Sequence, residues 1–169
     1  MKLFLIGLPG SGKSTIGQAL ANRLSMEFVD LDHEIEAREG MPVPEIFSKQ
    51  GEDYFRRLES ELLLDWAVSE KSFVMSTGGG TPCFFDGINV INQHGVSVFL
   101  DESVDVIVSR LENNTHRPLL LSDNVADMRA KLEKLRDVRL AIYKQATITV
   151  QAPTLAKVVE SVTLIKRPD

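Results

Sequence analysis

Gly7-Leu8-Pro9-Gly10-Ser11-Gly12-Lys13-Ser14-Thr15 decides how the rest of the chain is read. The stretch fits G-x-x-x-x-G-K-[ST], and its context suits that pattern on both sides. Before it, Leu3-Phe4-Leu5-Ile6 is a short apolar run of the kind that makes a buried parallel strand. After it, Ile16, Leu20 and Leu24 recur at helical spacing, so a helix is predicted over Ser14 to Leu24. Glycines allow backbone N–H groups to turn inward around a phosphate without Cβ clashes, and the helix N-terminus adds its dipole and unpaired donors. In such a loop Gly10, Ser11, Gly12 and Thr15 form the cradle. Lys13, read as an exposed loop lysine, reaches the terminal phosphates, and the Ser14 hydroxyl ligates Mg²⁺.

Strand and helix patterns alternate outward from this loop. Phe28-Val29, Ser72 to Met75, Val96 to Leu100 and Thr147 to Val150 read as further strands. Helices are predicted over Asp32 to Arg38, Glu45 to Lys49 behind Pro42 and Pro44, Tyr54 to Val68, Val104 to Leu111, Val125 to Tyr143 and Leu155 to Leu164. The pattern predicts an α/β fold: a doubly wound, five-stranded parallel sheet flanked by helices, with ligands beyond the carboxyl ends of the strands. Glu112 to Asn124 is a polar stretch between two helices and reads as a mobile lid.

The chain has 169 residues, a length that suits one domain over 1–169. Its net charge of −5 argues against a broad nucleic-acid surface, so a bound anion must be met by a local cluster of cations. No apolar run approaches the roughly 20 residues that cross a bilayer. Cys83 is the only cysteine, which rules out an intramolecular disulfide and suggests a reduced, cytoplasmic setting.

Several groups near the predicted strand ends carry further chemistry. Asp30 and Asp32 are two apart, which in a strand points both to one side of the sheet. One acid could hold the water shell of Mg²⁺ and the other accept a hydrogen bond from an acceptor hydroxyl; equally, Asp32 could cap the following helix. Arg56 and Glu59 share a helix face three residues apart, so Glu59 could fix a guanidinium suited to bidentate carboxylate binding. Arg57 and Glu61 look like a surface pair. Gly78-Gly79-Gly80 at the end of the third strand would let a ligand approach backbone, or make a flexible turn. Arg117 lies in the lid, where it could stabilise a transferring phosphoryl group. Arg139 stands one helical turn before Tyr143, so both could face the site.

In order, P-loop, D-x-D, F-R-x-x-E, G-G-G, R-P-L-L and R-x-x-x-Y make the chain resemble shikimate kinases over nearly its whole length. The resemblance implies ATP and shikimate as substrates, Mg²⁺ as cofactor, and a cytoplasmic enzyme of aromatic amino-acid biosynthesis. It implies that Asp32 binds the shikimate hydroxyls and assists attack, and that Asp30 stands at the metal's water shell. It also implies that Arg56 and Arg139 clamp the carboxylate beside Gly78, Gly79 and Gly80, within acceptor-binding helices at about 32–62. Arg117 would contact the ATP phosphates and Arg110 would lie beside the adenine. The loop Gln151-Ala152-Pro153-Thr154 would border the nucleotide through Thr154, though it carries no basic residue. The family often has proline where this chain has Ala141. The expected state is a monomer without nucleic-acid or membrane partners. The rival readings are another small P-loop kinase, for gluconate or a nucleoside monophosphate, and a nucleotide-dependent switch without catalysis.

Overall fold

A computed structural model describes residues 1–112 and 125–165. Its central sheet contains β1 (Lys2–Ile6), β2 (Glu27–Asp30), β3 (Phe73–Ser76), β4 (Val96–Asp101) and β5 (Ile148–Gln151). All neighbours pair in parallel, in the order β2-β3-β1-β4-β5. β1 sits at the centre, with Leu3 level with Val74 on one side and Val96 on the other. The chain leaves β1 in one direction across the sheet and later returns to its other side. That switch point opens a crevice at the carboxyl ends, where Gly7, Asp30, Ser76 and Asp101 emerge.

Side chains alternate across the sheet. Leu3, Leu5, Val74, Val98 and Leu100 pack with Leu20 and Ala21 of α1 (Lys13–Leu24) and Val158 and Val162 of α8 (Leu155–Ile165). Phe4, Ile6, Phe73, Met75 and Phe99 face the other way. They meet α2 (Leu31–Glu39), α3 (Val43–Gln50), α4 (Glu52–Val68), α5 (Gly87–His94), α6 (Val104–Glu112) and α7 (Val125–Tyr143). Phe4, Phe73 and Phe99 are fully buried, or nearly so, each contributing about 1.5–3 kcal/mol of transfer free energy.

The expected strands and helices form, with bounds shifted by a residue or two. α5 is an addition, and its sequence explains why it has no helical signature. Gly87-Ile88-Asn89-Val90-Ile91-Asn92 is built from residues of weak helix propensity. Packing overrides propensity here, because Ile88 and Ile91 lie three apart and both enter the core. A short 3-10 turn, Thr81–Cys83, connects the glycine run to α5. Of the expected lid, Glu112 closes α6, and residues 113–124 lie outside the described residues.

Candidate active site

The loop from Gly7 to Gly12 runs from the end of β1 into the first turn of α1. Gly10 and Gly12 have φ of 80° and 96°, a left-handed backbone that side chains with a Cβ resist. Lys13 is not the exposed lysine its loop position suggests. It is buried, and Nζ donates to the carbonyls of Gly7 at 3.0 Å and Leu8 at 2.8 Å. The ammonium thus sits within the curl of the loop, where a phosphate would lie. Thr15, next along α1, is exposed. Ser11 Oγ is fully buried without a hydrogen-bond partner among the described residues, an unsatisfied polar atom inside a loop shaped for an anion.

The pair of acids is arranged differently from the strand reading. β2 ends at Asp30, and Asp32 already lies in the first turn of α2, so the two do not share a strand face. The helix cap is Asp30 rather than Asp32: Asp30 Oδ1 accepts from Asp32 N at 3.1 Å. Asp30 Oδ2 also accepts from the Ser14 hydroxyl at 2.7 Å, and Ser76 Oγ lies 3.0 Å from Ser14 Oγ. This is a hard-oxygen set with a single carboxylate. It fits Mg²⁺, which keeps most of its waters and takes its remaining ligands from substrate phosphates. Among the described residues there is no cluster of three or more His, Cys, Asp or Glu to suggest another kind of metal centre.

A second set of charges gathers beside the loop, around the glycine run. Arg56 and Glu59 are 9% and 2% exposed, and Arg56 Nη1 donates to Glu59 Oε2 at 2.8 Å. Glu59 Oε1 accepts from Thr81 Oγ1 at 2.6 Å, so a buried acid fixes both the arginine and the 3-10 turn. The guanidinium lies 4.4 Å from the centre of the Phe84 ring and 5.2 Å from that of Phe55. Glu52 Oε1 accepts from its outer edge at 3.3 and 3.4 Å. Pairing in a buried setting separates Arg56–Glu59 from an ordinary surface bridge. By contrast, Glu61 approaches Arg38 at 3.9 Å rather than forming the expected pair with Arg57.

The glycines are required because these side chains occupy the space above them. A Cβ on Gly78 would fall 2.7 Å from Glu59 Oε1 and 3.3 Å from Asp32 Oδ1. On Gly79 it would meet Pro9 Cδ at 2.9 Å and Arg139 Nη1 at 3.2 Å, and on Gly80 the Arg56 guanidinium at 2.6–2.7 Å. One bare stretch of backbone therefore joins Asp32, Arg56, Glu59, Arg139 and the P-loop. Tyr143 is fully buried and donates to the Gly79 carbonyl at 2.5 Å. Its hydroxyl pKa is pushed up to about 12, chiefly by burial, with Arg139 opposing through its charge and a hydrogen bond.

Asp32 is open to the crevice on one side and crowded on the others. Its carboxyl pKa is pushed up from 3.8 to about 6, first by desolvation and then by the like charges of Asp30 and Glu59, with Lys13 pulling down. Cys83 is half-buried near Arg139 and Arg56, and burial raises its thiol pKa, so it remains a thiol.

Arg110 projects from α6 with Nη1 3.6 Å from where a Cβ on Gly12 would sit, and Nη2 donates to Glu102 at 2.8 Å. Thr154 Oγ1 accepts from Lys157 N at 3.3 Å and so caps α8. A basic residue does reach this loop, from the helix: Lys157 Nζ donates to the carbonyls of Gln151 and Ala152, both at 3.1 Å. Arg117 lies outside the described residues. Ser76, Phe84 and Glu102 went unread in the sequence because each matters through a partner distant in the chain. Ser76 alone left a signal, as a hydroxyl at the carboxyl end of a strand next to β1.

A phosphate loop at a sheet's switch point, with two arginines and a perturbed acid gathered beside it, defines the class: a P-loop phosphotransferase fold. The sequence matches the shikimate kinase family model over residues 9–166. It is 39% identical over 168 residues to the shikimate kinase of Sulfurihydrogenibium sp., covering 98% of both chains. The shikimate kinase of Bacteroides thetaiotaomicron superposes with a TM-score of 0.88 at 34% identity, over 98% of this chain and 96% of that one. That of Acinetobacter baumannii, solved in complex with shikimate, gives 0.87 at 31%, over 99% and 95%. A gluconokinase from Sinorhizobium meliloti, 22% identical with a TM-score of 0.61 over 98% and 91%, shares the fold alone. The chain belongs to the shikimate kinase family.

Proposed function

We propose that this chain transfers the γ-phosphate of ATP to a ring hydroxyl of shikimate, giving shikimate 3-phosphate. The observation that carries the reading is the convergence of Arg56, Arg139 and Asp32 on Gly78–Gly80, with Pro9 of the phosphate loop packed against the same glycines. Two cations suit the single carboxylate of the acceptor, and the acid suits a hydroxyl beside it. A nucleotide-dependent switch would not need that second set. Gluconate would offer a carboxylate too, so the acceptor is decided by assay.

In this reading the P-loop amides and Lys13 hold the phosphates. Arg56, locked by Glu59 and Phe84, and Arg139, held against Tyr143, orient the acceptor by its carboxylate. Asp32 accepts the proton of the attacking hydroxyl, and a pKa near 6 leaves it ionised yet basic at neutral pH. Ser14, with Asp30 and Ser76 behind it, would hold Mg²⁺. When bound, the metal neutralises charge on the transferring phosphoryl group. Arg117 is assigned to the phosphates from the sequence, Arg110 and Thr154 to the nucleotide side. Among the described residues no helix is long and apolar enough to cross a membrane. We read the chain as one kinase unit acting as a cytoplasmic monomer. A coupled ADP-release assay with shikimate, gluconate and nucleoside monophosphates tests the proposal: shikimate should dominate by kcat/KM, and a preference for another acceptor overturns it.

A further inference from the structure

Glu102 is a buried carboxylate with no part in the proposed transfer. It follows the last residue of β4 and is 5% exposed. A carboxylate in that position is costly unless paired and hydrogen-bonded, and each of its oxygens has a donor. Oε1 accepts from Ser103 N at 3.0 Å and Oε2 from Arg110 Nη2 at 2.8 Å. The arginine is the asymmetric half of the pair: its side chain is 46% exposed. Anchored at Nη2, it extends Nη1 over Gly12, the residue that precedes the first turn of α1 and contributes backbone to the phosphate loop. The rest of α6 lies along the same loop. Ile107 and Leu111 flank Arg110 on the helix, and a Cβ on Gly10 would meet Ile107 Cγ2 at 2.8 Å and Leu111 Cδ1 at 3.7 Å. Arg110 is therefore the cation that α6 presents over the mouth of the loop.

We propose that Glu102 is a positioning residue for nucleotide binding: its buried carboxylate holds Arg110 over Gly12 before the nucleotide arrives. A long side chain loses rotamer freedom when it meets a ligand, and a fixed anchor removes much of that loss from the binding step. The anchor must be buried to be fixed, because an exposed partner would move with the arginine and be screened by solvent. A purely local role, holding the start of α6 through Ser103 N, would require no arginine. This inference rests on the phosphotransferase reading above.

The test is a double-mutant cycle read by MgADP titration calorimetry, with shikimate KM and melting temperature measured alongside. Arg110→Ala should weaken MgADP about 10-fold, and Glu102→Gln, which keeps the shape and removes the charge, about 3- to 10-fold. In the Arg110→Ala background Glu102→Gln should add almost nothing, because it acts through that arginine. Shikimate KM should stay within about two-fold in all variants, consistent with an effect confined to the nucleotide side. Unchanged MgADP affinity in Glu102→Gln, or an effect that adds in full to that of Arg110→Ala, overturns the proposal. Should Glu102→Gln fail to fold, Arg110→Ala still decides: its side chain is half exposed, and normal MgADP affinity there removes the need for an anchor. No MgADP binding by the unaltered chain would overturn the phosphotransferase reading, and this inference with it.

Discussion

Asp32 shows how one side chain's environment sets its chemistry. Its pKa of about 6, against an ordinary 3.8, means the folded chain holds this proton more tightly than the unfolded one does. Folding takes up a proton between those values, so stability falls as pH rises from about 4 to 6, and the penalty persists in full above. Asp32→Asn removes that penalty. Its melting temperature should exceed that of the parent at pH 7.5, and the two should coincide near pH 4. Catalysis should move the other way: an amide has no useful basicity, so kcat should drop about 10²-fold or more. A variant with parental kcat would show that Asp32 is not the proton acceptor. Since Asp30 rather than Asp32 caps α2, neither change reflects a lost cap. Spacing alone could not have settled this. The two-residue rule applies within a strand, and the strand-to-helix junction falls between the two acids. The Arg56–Glu59 pair was legible, because three residues on a helix always bring side chains together. Its burial was not, since the turn and ring that cover it come from Thr81 and Phe84.

At the scale of elements, the glycine run acts as a spacer between helices. α4 and α7 bring Arg56 and Arg139 toward one strand end, and only a backbone without Cβ atoms leaves room for both. Gly80→Ala puts a methyl 2.6–2.7 Å from the Arg56 guanidinium, so the arginine must swing aside and loosen its bond to Glu59. Shikimate KM should rise by about 10-fold or more, the scale of a lost charge-assisted hydrogen bond, with MgADP affinity nearly unchanged. Equal losses for both ligands would mean that the glycines serve the phosphate loop instead. Glu59→Ala should be harsher, leaving Arg56 buried without its acid, at about 3–5 kcal/mol of stability by denaturant titration. A loss below about 1 kcal/mol would mark the pair as a surface bridge. Among the described residues, the sheet and seven of the eight helices could be read from periodicity and caps. α5 could not, because packing of Ile88 and Ile91 rather than local preference makes it.

At the scale of the molecule, the proposed reading divides the carboxyl edge of the sheet into two half-sites. The phosphate loop, Asp30, Ser76 and α6 form the nucleotide half. α2, α4, the 3-10 turn and α7 form the acceptor half, and the two meet where Pro9 packs against Gly79 and where Asp30 Oδ1 accepts from Asp32 N. Each half presents its own ligand-facing side chains, so each ligand should stabilise the fold alone. At 100 times its Kd a ligand adds about 2.7 kcal/mol. For a chain of this size that corresponds to roughly 5–11 °C in melting temperature. Lys13→Met should abolish the shift from MgADP and keep the shift from shikimate. It should also lower the starting melting temperature, because Lys13 Nζ ties the carbonyls of Gly7 and Leu8 together within the loop. Arg139→Ala should do the converse, losing the shikimate shift and keeping that of MgADP. The pattern is more informative than either value. Loss of both shifts in both variants would mean that the halves form one cooperative site, with the Pro9–Gly79 contact transmitting occupancy from one side to the other.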